Sequence, residues 1–525
     1  MIAWALLGAC HQPESEVTPD LCPDGTDLTW DSFGHGFVVG WCTSCHSPLL
    51  SGPARGGAPV GVDFDTYASV TKYAARISAT ATGSSPSMPP GGGPPDAERA
   101  RLREWLDCGL PGPPAVDEVP CDGAVIPGDL TLTSADDVAA MCAAGDSVEG
   151  TLTIGVGGTI DCLCAVGGDL VVTTPDDTVE LPRLAAVTGA VVVTDSPSLA
   201  VLRTPALASA ASLSLARNPA LAITDWRALT VVAGPVTFTD DGVGGPLLLD
   251  GLVTLPADLR FADLPRLRSV ELLRLETVAG SLDLSNLGAV AVDLGPIRTV
   301  GGDVRVASLP SLDAFDGLRV TTAIGGSLTF DDLPLLGSLS TGYALTEVGG
   351  GLILRGMPGL AAIDGFDVLA SVGGDVVLAG FGVQSLELFP ALTAITGAVE
   401  LTDHPELREV VHLAADPTVA GLSIERNPKL ATVERLGWSS VGGPVVVCDD
   451  PALDSVDGLV GVTAITGDLT VCRNRTLADV HGLGQLDSVG GDLTITDNPS
   501  LPTDDANALA ASVAVDGVVT ISGNQ

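Results

Sequence analysis

One short element, Gly-x-apolar-x-apolar, returns along most of this chain at a nearly fixed interval. It reads Gly168-Asp169-Leu170-Val171-Val172, Gly302-Asp303-Val304-Arg305-Val306, Gly326-Ser327-Leu328-Thr329-Phe330, Gly374-Asp375-Val376-Val377-Leu378, Gly467-Asp468-Leu469-Thr470-Val471 and Gly491-Asp492-Leu493-Thr494-Ile495. Val304 to Leu328 is 24 residues, Leu328 to Leu352 is 24, Val376 to Val399 is 23 and Leu469 to Leu493 is 24. A period of this size restricts the chain to stacked coils, because one unit can bury its apolar face only against its neighbours. Within a unit, alternation puts Leu469 and Val471 inward and Thr470 outward on a short strand. A second apolar cluster, such as Leu430 and Val433 after Asn427-Pro428, gives another strand or turn before the coil closes on glycine. At the usual strand spacing, roughly seventeen such coils make a rod on the order of 80 Å long.

Composition agrees with thin, regular coils. The 525 residues exceed what one compact core organises. With 64 glycines and only 4% aromatic residues in a chain that is 46% hydrophobic, the interior is filled by Leu, Val and Ala. Asn218, Asn427, Asn474 and Asn498 recur at one place after the strand, as in Arg217-Asn218-Pro219 and Arg426-Asn427-Pro428. There an amide satisfies turn carbonyls and N–H groups, so these residues read as structural caps.

This pattern resembles the receptor L domain, the leucine-rich-repeat-like β-helix of growth-factor receptor ectodomains and of long arrays in bacterial surface proteins. The resemblance covers residues 121–525 and implies an all-β right-handed solenoid of about 23–24 residues per coil. It also implies that Cys121 and Cys142, which bracket Leu130-Thr131-Leu132, close the first coil with a disulfide. The array is longer than a receptor L domain, so no hormone-type binding follows from the likeness.

Before the repeat the grammar differs. Residues 113–120, beginning Pro113-Pro114, read as a stiff connector. Upstream lies Cys42-Thr43-Ser44-Cys45-His46, a C-x-x-C-H motif. Its two-residue gap sets two thiols at the spacing of the haem vinyl groups and places the adjacent histidine as an axial ligand. Met88, in Met88-Pro89-Pro90, is the one methionine between Met1 and Met141 and is the expected sixth ligand; His35 is the alternative. Zinc would need a second Cys or His pair, and a thioredoxin-like dithiol a βαβ setting; neither accompanies the motif. Asp96 is a plausible N-cap for a helix over 98–107 that aligns Leu102, Trp105 and Leu106.

The order C-x-x-C-H, a middle helix near 67–77, Met-Pro-Pro and a terminal helix ending in Trp105-Leu106-Asp107-Cys108-Gly109 is similar to a small all-α class I cytochrome c domain. That resemblance covers about residues 23–112. It implies one covalent haem c anchored by Cys42 and Cys45, with His46 and Met88 as its axial ligands. With both axial positions filled, it implies outer-sphere electron transfer at a relatively high potential rather than oxygen chemistry.

Residues 1–9 read as a short signal segment ending at Cys10, in Leu7-Gly8-Ala9-Cys10, which resembles a bacterial lipobox. Cys10 would be lipidated and residues 10–22 would form a tether, placing the protein in the bacterial envelope, anchored to the outer membrane and facing periplasm or exterior. An ordinary secretory signal is the alternative. No later apolar stretch reaches the ~18 residues of a membrane span. Of 11 cysteines, setting aside Cys10, Cys42 and Cys45 leaves eight, which suits disulfides in an oxidising compartment. Cys448 and Cys472 lie one 24-residue period apart, Cys22 and Cys108 tie the ends of the haem region, and Cys162 with Cys164 remains by elimination.

The net charge of −41, from 24 Lys and Arg against 65 Asp and Glu, disfavours nucleic acid and reads first as a solvated surface, with docking of a cationic redox partner as the second reading. Lys72 and Lys429 are the only lysines, so there is no P-loop, and no H-E-x-x-H occurs. His404, His412 and His481 are scattered and are expected on turns or outer faces, and the Asp331-Asp332 and Asp449-Asp450 pairs at turns. A polysaccharide-cleaving β-helix would need clustered acids and bases in a groove, which the repeat lacks. The sequence therefore reads as a non-enzymatic, exported electron-transfer protein whose solenoid gives reach or partner docking. The alternative is a surface recognition or adhesion lipoprotein with an accessory haem domain.

Overall fold

In a computed structural model the chain divides into two compact units, Met1–Pro120 and Cys121–Gln525. The structure describes residues 22, 26–43, 45–46, 55, 58–59, 62, 64, 67–82, 86–88, 94–112, 121 and 123–525, the last span without 227, 244–246, 250, 414–418 and 435. The residues read as signal segment, lipidated Cys10 and tether, Cys22 excepted, and the residues 113–120 read as connector lie outside the described residues.

The second unit is a long parallel β-solenoid. Among the described residues eighteen strands, from Leu130–Leu132 to Val519–Ser522, pair in sequence order into one continuous ladder. The register matches the period read from the sequence: Leu328 pairs with Leu352, Val376 with Val399 and Leu469 with Leu493. Most coils carry two further short strands, so the coil has three sides where sequence patterning indicated two. One coil, for example, runs through Val376–Phe381, Ser385–Glu387 and Ala394–Ile395 before the next long strand, Ala398–Thr402. Inward Leu, Val and Ile from all three sides form one core that continues along the unit.

The Gly-Asp pair in the repeat has a steric cause. Asp468 Oδ1 accepts the Asp492 N–H of the next coil at 2.8 Å, and a Cβ on Gly491 would stand 2.1 Å from that same oxygen. The carboxylate therefore caps the next coil only where that coil offers glycine.

From the ladder strand Ala190–Thr194 onward, the backbone passes through the left-handed region at the end of the long strand, at Asp195, Arg217, Asp240, Asp263, Asn286, Ser308 and Asp332, at Gly356 and Gly380, and again from Asp403 to Asp497. The residue that follows points inward and forms a column. Its members are Ser196, Asn218 and Asp241, then Leu264, Leu287, Leu309, Leu333, Met357 and Phe381, then His404, Asn427, Asp450, Asn474 and Asn498, all buried. In the polar stretches each side chain accepts the backbone N–H of the rung before it: Asn427 Oδ1 from His404 at 3.1 Å, Asn474 Oδ1 from Asp450 at 3.0 Å and Asn498 Oδ1 from Asn474 at 3.0 Å. The asparagines are thus structural, joined coil to coil in a buried ladder.

His404 corrects an expectation. It lies on no outer face: it is fully buried and occupies an asparagine rung. Its Nδ1 accepts the Phe381 N–H at 3.1 Å and its Nε2 donates to Leu378 O at 3.0 Å, reproducing the acceptor and donor of an amide. Asp450 is likewise interior, whereas Asp449 beside it is the left-handed turn residue.

Both ends of the solenoid carry a helix. Ala135–Ala144 buries Met141 near the first ladder strand, and Thr503–Ser512 buries Ala506 and Leu509 near the last. Cys448 and Cys472, register partners on adjacent strands, form the expected disulfide. The other two expected pairings are overturned. Cys121 joins Cys164 and Cys142 joins Cys162, with Cα atoms 5.9 and 5.5 Å apart. The reason is the C-x-C turn, which faces two different segments, the start of the unit and the helix carrying Cys142. Each sulfur clasps one of them, and the strained two-residue ring is avoided.

The first unit is helical where described. A π-helical turn, Trp30–Gly34, is capped reciprocally by Thr29 and Ser32 and runs into α1, His35–Trp41. Then come α2, Tyr67–Ala81, and α3, Asp96–Asp107, which starts at Asp96 itself with Pro95 in the cap position. Leu102, Trp105 and Leu106 of α3 are buried against Trp30, Phe33, Phe37 and Val38. The packing closes on Gly34, where a Cβ would fall 2.4 Å from Trp105 Cζ2. Trp105 Nε1 and the Trp30 N–H both donate to Pro111 O, and the Cys22–Cys108 disulfide ties the ends of the unit.

Candidate functional site

The C-x-x-C-H segment begins where α1 stops. The N–H groups of Cys42 and Thr43 donate to Val38 O at 2.8 and 3.1 Å, ending the helix, and those of Cys45 and His46 then donate to Cys42 O at 3.2 and 2.9 Å. Two thiols and an imidazole are thereby carried on one tight turn at the end of a helix anchored by buried Phe37 and Val38.

All three line a single cleft of about 1000 Å³, measured out to its open mouth. Its walls are mostly apolar: Phe37 and Trp41 from α1, Tyr73, Ile77 and Ala81 from α2, and Val62 and Phe64 between them. Met88 reaches the same cleft from the segment after α2. Its N–H donates to Thr80 O at 3.1 Å and its carbonyl accepts Arg99 Nη1 at 3.2 Å, so α2 and α3 together hold it in place. The residue as a whole is 41% exposed. The structure thus brings Cys42, Cys45, His46 and Met88 together, and leaves His35 outside the lining, its ring against Trp30 at 5.3 Å.

The tautomer of His46 follows from its partner. Nδ1 lies 2.8 Å from Val62 O. A carbonyl only accepts, so Nδ1 is the donor, and in the neutral ring this leaves the lone pair on Nε2. A ring nitrogen committed in this way is the usual support for a metal-ligating histidine. The ring also stacks on Phe64 with centroids 4.6 Å apart, and His46 O accepts the Phe64 N–H at 2.8 Å. Arg55, itself buried, donates to Ala58 O, Pro59 O and Val62 O at 3.2, 2.8 and 3.4 Å, fixing the carbonyl that orients His46. Trp41 Nε1 donates to Glu98 Oε2 at 2.9 Å, linking α1 to α3 beside the motif.

Cys42 and Cys45 are half-buried free thiols, while the eight other described cysteines are paired in disulfides. Burial pushes the Cys42 thiol up to about 12, which keeps it protonated and a poor thiolate nucleophile. Among the described residues no three His, Cys, Asp or Glu side chains gather into a chelating group. The residues present fit a haem: its macrocycle brings its own four nitrogens and needs from the protein two thiols, an imidazole lone pair and an apolar cleft.

Comparison of the chain with protein-family models, with curated proteins and with solved structures finds no match in any of the three. Sequence reasoning missed Val62, Phe64 and Arg55. Val62 acts through its backbone carbonyl, which leaves no trace in residue identity. Tyr73 and Ile77, four apart on α2, were open to detection as one helix face.

Proposed function

We propose that this chain binds one c-type haem in the cleft of its first unit and transfers electrons outside the cytoplasm. The observation that carries the reading is the convergence of Cys42, Cys45, His46 and Met88 on one mostly apolar cleft, with the His46 Nδ1 proton already held by Val62 O. When bound, haem supplies a one-electron iron couple. Cys42 and Cys45 anchor it through their sulfurs. His46 offers Nε2 and Met88 offers its thioether sulfur. Phe37, Phe64, Tyr73 and Ile77 exclude water, which favours a high potential and outer-sphere exchange. In this reading the solenoid is of the receptor L-domain type and gives reach or docks a partner, its acidic surface suiting a cationic one. Cys10 anchors the protein to the envelope, and the four disulfides suit an oxidising compartment.

The full chain, expressed with c-type haem maturation machinery, is expected to gain the mass of one haem and a c-type visible spectrum. Replacing both Cys42 and Cys45 with Ser is expected to abolish covalent attachment, and Met88→Ala to remove the sulfur-to-iron band and lower the potential. A correctly matured but colourless protein refutes the proposal; an unchanged spectrum in Met88→Ala rejects Met88 alone.

A further inference from the structure

The ladder inside the solenoid contains two residues of the wrong chemistry for their places. An asparagine rung uses both atoms of its amide. Oδ1 accepts the N–H of the rung before it, and Nδ2 donates to a carbonyl of the preceding long strand. The donated bonds run from Asn218 to Val193 O, Asn427 to Leu401 O, Asn474 to Val447 O and Asn498 to Val471 O, at 2.9, 3.1, 2.8 and 3.1 Å. In each case that carbonyl belongs to the strand partner of the residue three places before the rung.

Asp241 and Asp450 occupy the same rungs. Oδ1 of each accepts the preceding rung's N–H, from Asn218 and Asn427, both at 2.7 Å. Oδ2 of each is buried and has no hydrogen-bond donor facing it. By the register of Leu215 with Phe238 and of Ile424 with Val447, the carbonyls due to these rungs are Leu215 O and Ile424 O. A carboxylate there would set two lone-pair oxygens against each other, and a carboxylic acid would set a donor against an acceptor.

We propose that Asp241 and Asp450 are built into the ladder as neutral carboxylic acids, each donating Oδ2–H to the carbonyl of the coil behind it, so that the solenoid takes up protons on folding and is tightest in mildly acidic surroundings. Burial pushes both groups up, Asp241 to about 6 and Asp450 to about 7, from an ordinary value of 3.8. The hydrogen bonds that Asn218 and Asn427 give to Oδ1 oppose this burial, as does Arg217 at Asp241, while the charge of Asp240 raises Asp241 further and those of Asp449 and Glu425 raise Asp450. With the folded value above the unfolded one, the stabilisation is complete below about pH 4 and is lost as pH rises through 6 and 7. His404, two rungs before Asp450, titrates with the opposite sign and is unchanged in the comparison below.

The test is urea unfolding of the full chain at pH 5 and pH 8.5, for wild type and for the double variant Asp241→Asn, Asp450→Asn. Asparagine already fills the rungs on either side of Asp450, so the double variant is expected to fold. Going from pH 5 to pH 8.5, the wild-type unfolding constant is expected to rise at least about tenfold more than that of the variant. Infrared spectroscopy of the wild type gives an independent reading: a protonated-carboxyl band present at pH 5.5 and gone at pH 8.5. Parallel pH dependences in the two proteins, or no such band at pH 5.5, overturns the proposal.

Discussion

His404 offers the sharpest check on the ladder. Its two ring nitrogens are both in use, Nδ1 as acceptor for Phe381 N–H and Nε2 as donor to Leu378 O, so the fold accepts only the neutral ring. Protonating Nδ1 would turn two N–H donors toward each other in a site sealed from water. Burial accordingly lowers the imidazole from 6.5 to about 4. A base held below its unfolded value contributes stability that is complete above about pH 6.5 and is lost as pH falls toward 4. The gap corresponds to about 3 kcal/mol at full protonation. Asparagine would keep both hydrogen bonds, as at Asn427, and has nothing to titrate. It gives up volume and the edge contact with Phe381, whose ring centroid is 4.8 Å away, so a cost of about 1–2 kcal/mol is expected at pH 7. Urea unfolding followed by circular dichroism at pH 7, 5.5 and 4 measures both quantities. The His404→Asn curve is expected to start lower and to lose less stability in acid, the buried aspartates being common to both proteins. Parallel losses from pH 7 to pH 4 would refute the reasoning, since they would mean that the ring either stays solvated or protonates in place without penalty.

Other outcomes follow from the same structure. Replacing Cys142 and Cys162 with Ser opens a link spanning 20 residues and is expected to cost about 3 kcal/mol; non-reducing peptide mapping of the wild type is expected to recover Cys121–Cys164 and Cys142–Cys162. Gly34→Ala drives a methyl into the Trp105 ring and is expected to destabilise the first unit by roughly 1–3 kcal/mol, read as altered tryptophan fluorescence at lower urea. Arg473→Ala removes an exposed bidentate pair with Asp449, at 2.6 and 2.7 Å, and is expected to change stability by less than about 1 kcal/mol, less again in high salt.

The repeat was legible because its cause is local in each coil. Gly491 must lie against Asp468, and Leu493 and Ile495 must point inward, so spacing and alternation are written in residue identity. Cys448 and Cys472 were paired correctly for the same reason, as one period brings equivalent positions of adjacent strands together. The four residues proposed to hold haem were picked out through C-x-x-C-H and a lone downstream methionine, and the structure brings them to one cleft. What the sequence left undecided depends on neighbours distant along the chain. His404 looks like any turn histidine until a coil 23 residues away supplies Phe381 N–H and buries it. The C-x-C turn could not reveal its partners, because the helix and the start of the unit that reach it lie 20 and 43 residues back along the chain and meet it only in the folded coils. Val62 orients His46 through a backbone carbonyl, a group that every residue carries. Periodicity and motif set which side chains are present and which way they alternate. Only the stacked coils and the closed cleft decide which donors meet which acceptors out of reach of water, and there a hydrogen-bonding partner determines the charge a group can hold.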